Sequence, residues 1–341
     1  MAEPITRRRA MTIMAAAAGL PLISFAGPFA GAANAAVEPV VWKGQALGAP
    51  ATLILNHPDP AKARTLVARV VSEVDRLESV FSLYRQNSAL AELNRLGALA
   101  APPGELVVLL ETCHDAWKAS QGAFDPSVQP LWSLYARHFS TPGSNPAGPS
   151  RQQLDETLPL VDFSGVRFNR DRIALARPGM ALTLNGIAQG YITDRVVELL
   201  QADGITSSLV SMGESRAIGA KADGGPWHIG LGETEDEATP DTVAAIIDRA
   251  VATSSANGFH FDAAARFGHI LDPRMGSVAP KYRRMTVIAP NATTADAYST
   301  AFSLLEPDAI RAIVDAEREI SVDLAMVSGE RLRLGRPVDI R

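Results

Sequence analysis

The stretch "GHILDPRMG" (268–276) sets His269 beside a turn built from Asp272-Pro273 and closed by Gly276. Near neutral pH an imidazole can take the proton of an attacking hydroxyl. Asp-Pro followed by glycine is also ordinary turn punctuation. Alone, the stretch has two readings: a turn, or a turn that aims a base. "TADAYSTA" (294–301) places Asp296 and Thr300 four residues apart. On a helix, a carboxylate and a hydroxyl at that spacing share one face. Such oxygen donors suit a hard cation such as Mg²⁺. An acidic residue near a helix start is equally explained by the helix dipole. In "TLNGIAQGYITD" (183–194), Gly186 and Gly190 flank the start of a helix. Small residues there let backbone groups approach a phosphate, or simply allow a turn and close helix packing. "GAFDPSVQPLW" (122–132) repeats the Asp-Pro theme beside an aromatic residue, and Tyr84 stands on a loop before a capped helix.

Several familiar chemistries are absent from the sequence. There is no H-E-x-x-H, no paired C-x-x-C and no G-x-x-x-x-G-K-[ST]. No G-x-G-x-x-G follows a strand, so a Rossmann dinucleotide site lacks its fingerprint. "GESRA" around Ser215 lacks the second glycine that a nucleophile elbow needs for its cramped turn. Cys113 is the only cysteine, which excludes a disulfide within the chain. It falls in a segment with helical apolar spacing, as a core residue does.

The elements that must position these groups are legible in the hydrophobic pattern. Loose alternation over 40–56 predicts two strands around a Gly/Pro turn. Leu66, Val67, Val70, Val71, Val74, Leu77, Val80 and Phe81 predict one amphipathic helix over 60–81. "SALAELNRLG" reads as a short helix capped by Ser88 and stopped by Gly97, and residues 105–119 as another helix. The stretch 140–150 reads as a loop, either a boundary or an excursion from one domain. Short strands are predicted over 163–185, a helix from "GIAQGYITDRVVELLQADG" with Gly204 as its stop, and a buried strand in "ITSSLVSMG". Strands follow near 216–231 and 243–253 and in "MTVIAP". A helix then opens behind Thr293 or Thr294 as cap, before a helix near 307–316 and strands near 320–335. Strands and helices mix without a βαβ rhythm, which predicts an α+β fold.

The chain has 341 residues, 47% hydrophobic and 20% charged, with a net charge of −5. That is globular composition, and the acidic balance argues against a nucleic-acid binder, which needs a basic surface. Arg7, Arg8 and Arg9 precede an apolar Ala/Gly-rich run and "GAANAA", the three parts of an export signal. Adjacent arginines point to the twin-arginine translocase, with cleavage near Ala35 or Ala36; an uncleaved membrane anchor is the other reading of the apolar run. The expected organisation is a signal over 1–36, then a single domain over 37–341 with a flexible loop near 140–150.

Taken together and in order, "FSLYRQNSALAELNR", "GAFDPSVQPLW", "NGIAQGYITDRVVELL", "LVSMGES", "GHILDPRMG" and "TADAYSTAFSLL" resemble the ApbE family of FAD:protein FMN transferases. With the export signal and Gln189, the chain looks most like the NosX branch, which serves nitrous-oxide respiration. The resemblance implies an ApbE-like, T-fold-related α+β domain of mixed sheets with packed helices. It implies transfer of FMN from FAD, with Mg²⁺, onto a threonine or serine of a partner protein, with release of AMP. The implied partner carries a Ser/Thr-Gly-Ala-Thr-like site and is a NosR-like membrane flavoprotein met in the periplasm.

Residue by residue, the resemblance makes Asp296, Thr300 and the Gly186 carbonyl the metal ligands and His269 the general base. Tyr84, Ala123, Phe124, Asp125 and Ile270 become FAD contacts. Thr183 and Gln189 fall at two further cofactor positions, where the family usually has Asp and Lys. Gly268 stands where a first histidine is often found, and Glu214 and Ser215 where the family has glycine and aspartate. These departures keep two other readings open: a periplasmic FAD-binding and delivery protein without catalysis, and an FAD pyrophosphatase.

Overall fold

A computed structural model describes residues 38–232, 242–276 and 280–340; the export signal expected over 1–36 lies outside the described residues. Strands β1 (Val40–Ala46) and β2 (Ala49–Leu55) form an antiparallel hairpin. Its two-residue turn, Leu47-Gly48, has φ of 49° and 86°, the positive values that a tight hairpin turn matching strand twist requires. Helix α1 (Pro60–Phe81) follows with the predicted limits, its first turn capped by Asp59. Helix α2 (Ala89–Leu96) is capped by Ser88 and ends at Gly97, with φ 74°. After β3 (Ala98–Ala100) comes α3 (Gly104–Ala119), which buries Cys113 in the core. Burial pushes the Cys113 thiol up, so it stays protonated and inert.

Helix α4 (Gln129–Ser140) and α5 (Arg151–Thr157) pack together across the 141–150 connection. That connection is tethered: the His138 ring meets the Asn145 carbonyl at 2.8 Å, and Arg266 bonds the Pro146 carbonyl at 2.5 Å. It is an excursion between packed helices. Strands β4 (Val166–Phe168) and β5 (Arg172–Leu175) join β3 in a small sheet. Of the short strands predicted over 163–185, none forms after Leu175. There the Leu182 backbone pairs with the Asn94 side chain, and the Thr183 N–H donates to the Pro126 carbonyl at 2.8 Å. The backbone groups are satisfied without a ladder.

Helix α6 (Ala188–Ala202) leads to Gly204, with φ 81°, and then to β6 (Ser208–Ser211) and β7 (Ser215–Ile218). Strands β8 (Trp227–Gly230) and β9 (Val243–Ile246) pair with each other, and Ala244 forms an antiparallel bridge with Ile340. Strands β10 (Ala250–Ser255) and β11 (Tyr282–Ala289), helices α7 (Ala292–Phe302) and α8 (Pro307–Ala316), and strands β12 (Ser321–Met326) and β13 (Arg331–Gly335) complete the described chain. The main sheet is antiparallel, with order β1-β2-β6-β7-β10-β11-β12-β13. Strands from both ends of the chain therefore share one sheet, in an α+β fold.

Alternation along the strands splits this sheet into two buried faces. Ile54, Leu209, Ala217, Val251 and Ile288 meet the β8–β9 hairpin on one side. Leu53, Leu55, Val210, Ala252 and Val287 face the main core, where α7 lies on β10 and β11 and packs against α6. Covering both faces explains why every residue of β10 is buried. The cap of α7 corrects the expectation from sequence. Asn291, not Thr293 or Thr294, accepts from the Thr294 N–H at 2.8 Å. The Thr293 side chain is engaged instead by Asp194, whose carboxylate also takes the Ala292 and Thr293 N–H groups at 2.8 Å. Two side chains thus satisfy the orphan donors of one helix end. Among the described residues no helix is long and apolar enough to cross a membrane.

Candidate active site

A cleft of about 800 Å³, counting the open space at its mouth, lies where the 122–132 stretch, the residues just before α6, the end of β10, the C-terminal part of α7 and the 269–273 turn converge. Ala123, Phe124, Asp125, Thr183, Gly186, His269, Ile270 and Thr300 all line it. These groups run from 123 to 300 in the chain, so only the tertiary fold gathers them. Tyr84, Gln189 and Asp296 do not line the cavity.

Helices α6 and α7 mate through two matched spacings. The Gly190 N–H donates to Asp296 Oδ2 at 2.9 Å. A Cβ on Gly190 would sit 2.3 Å from the Ala292 carbonyl oxygen, so only glycine lets the helix starts approach this closely. One turn away, a Cβ on Gly186 would sit 2.7 Å from Thr300 Oγ1. The antiparallel match 190–296 and 186–300 brings the Gly186 backbone, the Asp296 carboxylate and the Thr300 hydroxyl into one corner. Of the two open readings of this segment, Gly190 serves close helix packing, and Gly186 borders the cavity.

Asp296 is buried. Burial pushes its pKa up to about 7, against the Gly190 hydrogen bond and with help from Asp194. A neighbouring acid, Glu214, is also buried and pushed well above the carboxylate range, by burial and then by Asp296. Its Oε2 has no hydrogen-bond partner. Buried acids of this kind are costly unless a cation compensates them. Among the described residues no group of three or more His, Cys, Asp and Glu side chains stands ready to hold a metal. The donors in the α6–α7 corner are instead one carboxylate, one hydroxyl and one carbonyl, all hard oxygens of the kind Mg²⁺ takes along with water and phosphate.

His269 is held by backbone. The Phe259 carbonyl accepts from both the His269 N–H at 3.1 Å and the ring Nδ1 at 3.0 Å. A carbonyl can only accept, so Nδ1 carries the proton in the neutral ring and Nε2 is the basic nitrogen. The 259–269 hairpin is braced from outside by α4. Trp132, Tyr135 and Phe139 recur on one face of that helix and pack on Phe259, Phe261 and Phe267, with ring centroids 4.9 to 6.3 Å apart. Below the histidine, Arg274 clamps Asp272 through Nε at 3.0 Å and Nη2 at 2.8 Å. Burial opposes the Asp272 charge, but these bonds outweigh it and hold the carboxyl below its ordinary range. Tyr135 Oη reaches the Gly276 carbonyl at 2.7 Å. Arg274 therefore steadies the turn.

Asp125 has a double placement. It borders the cavity, yet its carboxylate accepts from the Ser127 N–H at 2.7 Å and the Phe163 N–H at 3.2 Å. Gln189 is buried against Gly213, where a Cβ would come within 2.6 Å of its amide carbon. Tyr84 is exposed on the loop after α1, its N–H on Ser82 Oγ at 3.1 Å. Trp132, Asn185, Ser254 and Leu304 also line the cavity. Trp132, Asn185 and Leu304 fall inside motifs that the sequence singles out; Ser254 carries no local signal.

The ApbE family model matches residues 47–323. The chain belongs to the ApbE family. It is 28% identical over 287 residues to the FAD:protein FMN transferase of Klebsiella pneumoniae (strain 342), covering 80% of each chain. It is 30% identical over 266 residues to that of Treponema pallidum (strain Nichols), covering 72% of each. The ApbE protein of Thermotoga maritima superimposes with a TM-score of 0.76 at 26% identity, over 87% of this chain and 97% of that one. The apo flavinyl transferase ApbE of Pseudomonas stutzeri gives 0.73 at 24% identity and shares the fold. These likenesses match the α+β fold described above, whose sheets are antiparallel rather than mixed and carry packed helices.

Proposed function

We propose that this protein transfers FMN from FAD to a threonine or serine hydroxyl of a partner protein, with Mg²⁺, releasing AMP. The observation that carries the reading is the placement of His269, with Nδ1 fixed by Phe259, on the wall of the cavity that Thr300 and Gly186 also line. Relatives named FAD:protein FMN transferase support it.

In this reading His269 Nε2 takes the proton of the acceptor hydroxyl. The hydroxyl oxygen forms a bond to the FMN phosphorus of FAD, and the phosphorus–oxygen bond to AMP breaks, with AMP leaving on that oxygen. The proton then passes from His269 to solvent. Gly186, Asp296 and Thr300 are the residues that would hold Mg²⁺. Bound there, a divalent cation would neutralise charge on the phosphate oxygens as the bond to AMP opens. Ala123, Phe124, Asp125, Thr183 and Ile270 border the space for FAD, with Tyr84 and Gln189 acting from outside that wall.

The exported form, over 37–341, works in the periplasm after twin-arginine export, in the manner of the NosX branch. Its acceptor is a NosR-like membrane flavoprotein with a Ser/Thr-Gly-Ala-Thr-like site. Intact-mass spectrometry of an acceptor fragment incubated with protein, FAD and Mg²⁺ tests this. A mass gain equal to FMN, absent with His269→Ala, is the expected result. Free FMN and AMP without acceptor gain would replace it with a pyrophosphatase, and intact bound FAD with a delivery protein.

A further inference from the structure

A second cleft, of about 470 Å³ counting the open space at its mouth, adjoins the first. The two share His269, Ile270 and Leu304 as lining, so His269 borders both. The second cavity holds none of the candidate metal ligands and, apart from His269 and Ile270, none of the candidate FAD contacts.

We infer that this second cavity seats the hydroxyl-bearing segment of the acceptor protein and delivers it to His269. The inference rests on the transferase reading and names where its second substrate docks. A base that passes a hydroxyl onto a phosphoryl group must meet two reactants, and a displacement at phosphorus needs the attacking and leaving oxygens roughly in line. A pair of spaces meeting at His269 supplies two approaches.

The lining fits a main chain. Ser255, Ala256, Ala265, Gly268 and Ser303 are all small, which lets a backbone come close. Along the hairpin, His260 and Gly268 form an antiparallel bridge, flanked by the His269 N–H on the Phe259 carbonyl and the Phe261 N–H on the Phe267 carbonyl. His260 and Gly268 both line this cavity, while Phe259, Phe261 and Phe267 pack on the aromatic residues of α4. A Cβ on Gly268 would meet nothing nearer than 4.0 Å, and its φ is not in the left-handed region. A larger side chain at 268 can thus enter the cavity without backbone strain.

The test is Gly268→Leu, with Ser303→Leu as a variant from the opposite wall. Binding of a fluorescein-labelled peptide containing Ser-Gly-Ala-Thr is measured by anisotropy in the presence of FAD and Mg²⁺. FAD affinity is measured by flavin fluorescence. We expect peptide affinity to fall by roughly tenfold or more in both variants, with FAD affinity within about twofold of wild type and native thermal melting. Peptide affinity equal to wild type, or loss of FAD affinity in place of peptide affinity, would overturn the assignment. If the wild type binds peptide in this variant-sensitive way but transfers no FMN, the docking site stands and the transferase reading fails.

Discussion

The backbone N–H of Gly190 donates to the Asp296 carboxylate at 2.9 Å, across helices more than a hundred residues apart in sequence. That bond fixes one end of a matched pair of spacings whose other end is Gly186 against Thr300. It makes two glycines, alike in the sequence, answerable to different experiments.

At Gly190, an added Cβ meets backbone, the Ala292 carbonyl, at 2.3 Å. Backbone cannot swing aside, so Gly190→Ala must part the helices. We expect a loss of about 1–3 kcal/mol or more of stability, as overpacked cores show, read as a lowered melting temperature. At Gly186 the obstacle is the Thr300 hydroxyl, which can rotate. Gly186→Ala should leave melting nearly unchanged and weaken Mg²⁺ binding by about tenfold or more, read by calorimetric titration. Equal loss of stability in both variants would contradict the division of roles.

The raised pKa of Asp296 sets a pH dependence. Its ordinary value is 3.8 and burial lifts it to about 7 in the folded, metal-free protein. The native state then holds a proton that the unfolded chain has released, so stability falls as pH rises through that window. The penalty is complete above about pH 7 and absent below about pH 4, and Glu214 acts in the same direction. Asp296→Asn should flatten the slope in the metal-free protein and raise its melting temperature at pH 8. Mg²⁺ should raise the melting temperature of the wild type but not of the variant. A variant that melts lower than wild type at pH 8 without metal would refute the charge argument.

His269→Ala removes the base without touching the donors on α6 and α7. Transfer should slow by about 10²–10⁴-fold, while flavin fluorescence reports nearly unchanged FAD affinity. A large loss of FAD affinity would instead make His269 a binding residue.

Export is tested at the basic start of the chain. Joint substitution of Arg7→Lys, Arg8→Lys and Arg9→Lys should hold the precursor in the cytoplasm, whereas the wild type should reach the periplasm with a mature start near Ala36. Immunoblotting of cell fractions, with N-terminal sequencing, decides it. Unchanged export would remove the twin-arginine assignment.

Much of this protein was determined by sequence alone. Hydrophobic periodicity is a local property, and it placed the helices over 60–81 and 307–316, the caps at Ser88 and Gly97, and the turn at Asp272-Pro273. Residue chemistry singled out His269, Asp296 and Thr300, because few side chains accept protons or hold hard cations. The meeting of these groups is not local. That Gly186 faces Thr300 and Gly190 faces Asp296 follows from the antiparallel seating of α6 on α7, which depends on small residues at one crossing. Tertiary structure alone showed that Asn291 and Asp194, not the threonines, close the start of α7. It also buried Gln189 under Gly213 and left the end of the 163–185 stretch, read as short strands, paired with the Asn94 side chain instead. In each case the deciding partner is distant in the chain or competes with an equally good local candidate, so the choice was made by packing, which no local pattern encodes.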